Sequence, residues 1–182
     1  MKQVDGIYTN EDYHKVESYL QMHYPQMALF WAIGCDTGYR VSDILQLCVS
    51  DIKTGHISLV EAKTRKSKSA PISNDTLSYA LNYVAKNGLK NDSYIFGDSS
   101  KGGDEPVSRQ YVWRIIKQAG QMVGLPRLHL GHIQRAKRMR GESLWLQHHL
   151  TRHKGHSTTV TNQPRLGMSK EEWNSFLEGM KA

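Results

Sequence analysis

One stretch of this chain breaks the helical spacing of apolar residues that governs the rest, and it restricts the fold. Ile57-Ser58-Leu59-Val60 and Ser69-Ala70-Pro71-Ile72 are short strand-type runs that flank the polar segment Lys63-Thr64-Arg65-Lys66-Ser67-Lys68. Two such runs joined by a polar connection predict a β-hairpin with a long basic tip. Everything around it reads as helix, so the fold class expected is mainly α with a small β-hairpin or sheet.

The helices follow from periodicity and end signals. Thr9-Asn10-Glu11-Asp12 offers a side-chain cap, and Tyr13, Val16, Leu20 and Tyr24 form an apolar stripe behind it. A second apolar stretch, 27–33, closes near Gly34 and Gly38, where glycine permits a left-handed turn. Ser42 with Ile44, Leu45 and Leu47 predicts a short helix just after Arg40, placing that arginine at a helix N-terminus where backbone amides favour an anion. Asn74-Asp75-Thr76 caps a helix running towards Gly88 with Leu77, Ala80, Leu81 and Val84 on one face. Residues 98–104 read as a flexible loop by composition. Ser108 opens a helix whose core face is Val112, Ile115, Ile116, Ala119 and Val123. Helices over 132–140, 143–153 and about 169–181 complete the chain. The last begins with the capping box Ser169-Lys170-Glu171-Glu172 and carries Trp173, Phe176, Leu177 and Met180 on a narrow apolar face.

At 182 residues the chain fits a single domain, 1–182, ending in that C-terminal helix. Its 38% hydrophobic and 23% charged residues are those of a soluble globular protein. Neither a membrane span nor a secretory leader is visible, which predicts a cytoplasmic protein. Cys35 and Cys48 are too few for a disulfide framework or a thiolate zinc site, and both read as buried thiols. Charge is uneven: residues 1–62 hold four Lys/Arg against eight Asp/Glu, residues 63–125 hold ten against five, and residues 126–165 hold eight against one. Six of the nine histidines also fall in that last stretch. A basic surface of this kind suits phosphate backbones, although a charge run alone is more often a solvated helix face.

Five phosphate-seeking side chains sit in local motifs that give the basic surface a more specific meaning. Arg40 lies in Thr37-Gly38-Tyr39-Arg40-Val41-Ser42-Asp43-Ile44-Leu45-Gln46-Leu47, and Lys63 lies eight residues before Pro71-Ile72. His132-Ile133-Gln134-Arg135 and Gly155-His156-Ser157 follow. In that order the four pieces resemble the arginine box, hairpin lysine, His-x-x-Arg box and Gly-His-Ser box of the tyrosine site-specific recombinases, the phage integrase family. Singly each is weak, since Arg-x-x-Asp and His-x-x-Arg spacings arise by chance and Lys66 and Lys68 are as eligible as Lys63. The resemblance spans about Tyr13 to Thr161 and implies the family's catalytic domain, without a preceding DNA-binding domain.

What the resemblance implies is metal-free and cofactor-free phosphoryl transfer on double-stranded DNA. Arg40 and Arg135 would hold non-bridging oxygens, since a guanidinium donates in a planar fork and stays charged. Lys63 would protonate the leaving 5′-oxygen, His132 would assist proton transfer and His156 would donate to a non-bridging oxygen. Asp43 would orient Arg40. Further DNA contacts are expected from Arg65, Lys66 and Lys68 in the hairpin and from Lys137, Arg138, Arg152 and Lys154 in the basic last third. Partners implied are DNA and a second copy or a partner recombinase, at the nucleoid.

One element of the pattern is missing. The family's nucleophilic tyrosine falls nine residues after the last histidine, where this chain has Arg165, and no tyrosine follows Tyr111. Smaller departures are Gln134 and Lys154, each at a position usually leucine. Three readings result. The chain is an integrase or invertase whose nucleophile comes from an early tyrosine such as Tyr8 or from a partner; or it is a recombinase-derived regulator or accessory factor that occupies DNA without cutting it. A third, metal-dependent reading uses His148, His149, His153 and His156, but supporting carboxylates are scarce there.

Overall fold

The computed structural model describes residues 10–52, 54–60, 67–128 and 130–131, which form five α-helices and one antiparallel strand pair. Helix α1, Asn10–His23, turns Tyr13, Val16 and Leu20 onto the core, each no more than 1% exposed. Helix α2, Pro25–Thr37, starts on a proline whose fixed φ and missing N–H suit a first turn. Its residues from Met27 to Thr37 are all buried, so it is the central helix against which the others pack. Of the two glycines expected to end it, Gly34 lies inside the helix. Gly38 is the terminator, left-handed at φ 67°, with its N–H donating to the Gly34 carbonyl at 2.8 Å.

Helix α3, Val41–Leu45, follows as expected, and a 3₁₀ turn at Val49–Asp51 leads to the hairpin. Strands β1, His56–Val60, and β2, Ser67–Pro71, pair Ile57 with Ala70 and Val60 with Ser67. Alternation places Ile57 and Ala70 in the core, while the outward Ser58 and Ser69 hydroxyls bond to each other at 3.0 Å. Both strands start one or two residues earlier than the apolar runs indicated.

Helix α4, Asn74–Lys86, departs from expectation at its start and on its face. Its cap is Ser73 rather than Asn74: the Ser73 Oγ accepts from the Thr76 N–H. The cause lies in α2, where the buried Asp36 accepts from both the Ser73 N–H, at 2.8 Å, and its hydroxyl, at 2.9 Å. With the start held there, Thr76 and Ala80 face the core, and Leu81 is 44% exposed.

Residues 98–104, expected to be a flexible loop, fold into a compact turn. Asp98 caps a 3₁₀ turn at Ser99–Lys101, accepting from the Ser100 N–H and hydroxyl at 3.0 and 2.7 Å. Its own N–H donates to the Glu105 carbonyl at 2.7 Å, closing the segment. Helix α5, Arg109–Met122, is capped by Ser108 and buries Val112, Ile115, Ile116 and Ala119, as its periodicity predicts. The chain then doubles back, and Leu128 and Leu130 return to the core at 4% and 7% exposure.

All these elements contribute to one apolar cluster, with Trp31 fully buried and Phe30 edge-on to Phe96 at 5.5 Å. Cys35 is buried as expected. Cys48 is partly exposed instead, and partial burial raises its thiol pKa. The helices expected over 132–140, 143–153 and 169–181 lie outside the described residues.

Candidate functional site

Arg40 stands where α2 has ended and α3 begins, a place set by several buried anchors. Gly38 reverses the chain, and Tyr39 then drops into the core at 3% exposure. The Tyr39 hydroxyl donates to the Ile57 carbonyl of β1 at 2.8 Å. Its N–H donates to the Thr37 Oγ1 at 3.2 Å, and that hydroxyl in turn donates to the Ile33 carbonyl at 2.7 Å. Arg40 itself is extended, at φ −71° and ψ 148°, and its carbonyl accepts from the N–H groups of Asp43 and Ile44, both at 3.0 Å. Its side chain is partly exposed, whereas Asp43 on the first turn of α3 is 7% exposed.

The buried phenol of Tyr39 therefore ties the arginine loop to the hairpin. β1 ends at Val60 and β2 begins at Ser67, and the six residues between them carry Lys63, Arg65 and Lys66. Those three side chains, and that of Lys68, lie outside the described residues, as do His132, Arg135, Lys137, Arg138, Arg152, Lys154, His156 and Arg165. Arg40 and Asp43 are the expected site residues whose surroundings are described. Leu130, two residues before His132, is seated in the core.

Sequence reading passed over a second cationic surface, on the outward side of α5. Arg109, Arg114 and Lys117 are exposed there beside Trp113, which is 46% exposed. The Arg114 guanidinium sits 5.4 Å from the Tyr111 ring centre and the Lys117 ammonium 4.8 Å from that of Trp113. Aromatic faces attract such cations and hold them against the helix. The signal in the sequence is the set of aromatic and basic residues at 109, 111, 113, 114 and 117, between the core positions of α5.

Other features do not compete for this role. A groove of about 1010 Å³ lies between the end of α4 and the 98–104 turn, and its lining includes Tyr24, Tyr83, Tyr94 and Tyr111 but neither Arg40 nor Asp43. Among the described residues no group of three or more His, Cys, Asp or Glu is placed to hold a metal, and no helix is long and apolar enough to cross a membrane. The four histidines of the metal reading lie outside the described residues.

Comparison with known proteins agrees with this geometry. The chain is 31% identical over 91 residues to the tyrosine recombinase XerA of Pyrococcus furiosus, covering 49% of this chain and 32% of the relative. It is 28% identical over 123 residues to the probable integrase/recombinase YoeC of Bacillus subtilis, covering 67% of this chain and 66% of the relative. The chain thus spans less than two thirds of either relative. Among solved structures, a lambda integrase (residues 75–356) dimer bound to a COC′ core site superposes with a TM-score of 0.71 at 19% identity, covering 95% of this chain and 63% of that one. The fold is that of the tyrosine recombinase catalytic domain. The sequence profile of the phage integrase family matches residues 2–160, and the chain belongs to that family.

Proposed function

We propose that this chain acts in site-specific DNA recombination or integration, binding duplex DNA and stabilising phosphoryl transfer at a scissile phosphate. The observation that carries the reading is Arg40, partly exposed at the head of α3 and tied through Tyr39 to the hairpin that bears the basic connection. A transition state that spreads negative charge over phosphate oxygens is stabilised by fixed cations whose positions do not relax as charge develops. Arg40 and Arg135 hold the non-bridging oxygens in this proposal, with Asp43 orienting Arg40. Lys63 protonates the leaving oxygen, and His132 and His156 assist and donate. No metal or cofactor enters.

Arg65, Lys66, Lys68, Lys137, Arg138, Arg152 and Lys154 add backbone contacts, and Arg109, Arg114 and Lys117 of α5 offer a further cationic surface for the duplex. The DNA-bound dimer of lambda integrase supports an assembly on duplex DNA, and a second copy or a partner recombinase is the proposed neighbour. The whole chain, 1–182, is proposed to be one catalytic-type domain working in the cytoplasm at the nucleoid.

Arg165 stands where an attacking tyrosine is required, and a guanidinium cannot form the phosphotyrosyl bond. In this proposal the chain alone binds DNA without joining it, and the nucleophile is supplied by a partner. Incubating the protein with nicked cognate duplex, which traps any covalent intermediate, tests this directly. The expected result is a retarded complex that denaturant dissolves. A denaturant-resistant, protease-sensitive adduct would overturn the non-cutting state of the lone chain, and mapping its attachment would identify the substitute nucleophile. If partner subunits also fail to restore strand exchange, the chain is a DNA-occupying regulator.

A further inference from the structure

We infer that Tyr39 is a positioning residue for Arg40: its hydroxyl fixes the arginine loop to strand β1, so that the guanidinium is held ready for a DNA phosphate. The inference rests on the reading of Arg40 as a phosphate ligand and deepens it.

The geometry is specific. Tyr39 precedes Arg40 directly, so any shift of its backbone moves the arginine. The phenol is 3% exposed, and its O–H donates at 2.8 Å to Ile57, a residue 18 positions away whose side chain is fully buried. The Ile57 carbonyl belongs to a strand whose register with β2 is set by five residue pairs, so the acceptor is itself fixed. From the other side, the Tyr39 N–H is held by Thr37 Oγ1 at 3.2 Å. Arg40 thus follows a residue pinned at both backbone and side-chain ends, just after the left-handed Gly38.

A phenylalanine would fill the same core space, so packing alone does not account for the hydroxyl. A buried hydrogen bond between elements distant in sequence instead selects one register of loop against strand. Small displacements of a positioned group have large effects on its interactions with a reacting phosphate. The hydroxyl therefore acts on DNA only through Arg40.

Duplex affinity is the test, measured by fluorescence anisotropy at about 0.1 M salt for four proteins: the unaltered chain, Tyr39→Phe, Arg40→Ala and the double variant. Circular dichroism at the same temperature establishes that each is folded. Tyr39→Phe is expected to weaken binding about fivefold in the Arg40 background, and by less than about 1.5-fold when Arg40 is already alanine. Thr37→Val, which removes the acceptor for the Tyr39 N–H, is expected to show the same dependence on Arg40 and serves if Tyr39→Phe is not folded. Equal losses in both backgrounds would show a general structural role and overturn the inference, as would unchanged binding of Tyr39→Phe beside Arg40. Arg40→Ala binding as tightly as the unaltered chain, or an unaltered chain that binds no duplex at all, would remove the phosphate-ligand reading itself and the inference with it.

Discussion

Replacing Gly120 by alanine sets two opposed effects against each other, and the structure decides between them. Gly120 lies near the end of α5, and a Cβ built there would meet the Leu125 carbonyl oxygen at 2.6 Å and the Leu128 Cβ at 2.6 Å. Helix propensity favours alanine over glycine by about 1 kcal/mol. Against it, overpacking costs about 1–3 kcal/mol, and the atoms in the way are a backbone oxygen and a Cβ, neither of which can swing aside as a flexible side-chain end does. The Leu125 N–H also donates to the Gly120 carbonyl at 2.7 Å, so separating the turn from α5 weakens a further bond worth about 1 kcal/mol. Packing therefore wins, with a net loss of about 1–3 kcal/mol. In a domain of this size that lowers Tm by roughly 2–4 °C per kcal/mol. Urea unfolding followed by circular dichroism should show an earlier midpoint at unchanged slope. Gln121→Ala, on the exposed side of the same turn, is the control and should stay within about 0.5 kcal/mol of the unaltered chain. A Gly120→Ala protein as stable as the original, or more stable, would refute the tight seating of the Leu125 to Leu128 turn on α5. Because that turn leads to His132, the same substitution is expected to weaken duplex binding.

Asp36→Ala removes the acceptor for the partly buried Ser73 N–H and for its hydroxyl, which can still turn to Thr76 Oγ1, and the loss is expected to cost about 1–3 kcal/mol in urea unfolding, against well under 1 kcal/mol for the exposed Asp75→Ala. Tyr79 is pushed up to about 12 by burial while its hydroxyl donates to the Pro25 carbonyl at 3.0 Å. The unfolded chain then loses this proton first, so stability is complete below about pH 10 and declines as pH rises towards 12; a Tyr79→Phe protein should lack that part of the decline, and an identical alkaline profile would count against it. Duplex affinity should fall linearly in log–log form with salt, and the Arg40→Ala, Arg135→Ala double variant should reduce the slope by about two phosphate contacts without lowering Tm by more than a few degrees. An unchanged slope would remove these arginines from the phosphate contacts.

Local pattern was enough to read several elements from the sequence. The core face of α5 from Val112 to Ala119, the Ser108 cap, the hairpin around residues 61–66 and the short helix after Arg40 each depend on residues within a few positions of one another, where spacing and capping act directly. The ordered motifs likewise led to the family, because a chain of short signals in fixed order is a property of sequence alone. Tertiary structure decided whatever depended on partners far along the chain. Ser73 caps α4 because Asp36, 37 residues earlier, holds it; Leu81 faces solvent because of how α4 packs on the core; and the segment that leads into the 98–104 turn is anchored by Gln26, 71 residues away, whose Nε2 donates to the Gly97 carbonyl at 3.0 Å. The placement of Arg40 shares both origins. Gly38 and the start of α3 are written locally, but the hydrogen bond from Tyr39 to Ile57 requires β1, 18 residues on, to lie against the loop, since a donor's choice among acceptors is settled by which one the folded core brings within reach.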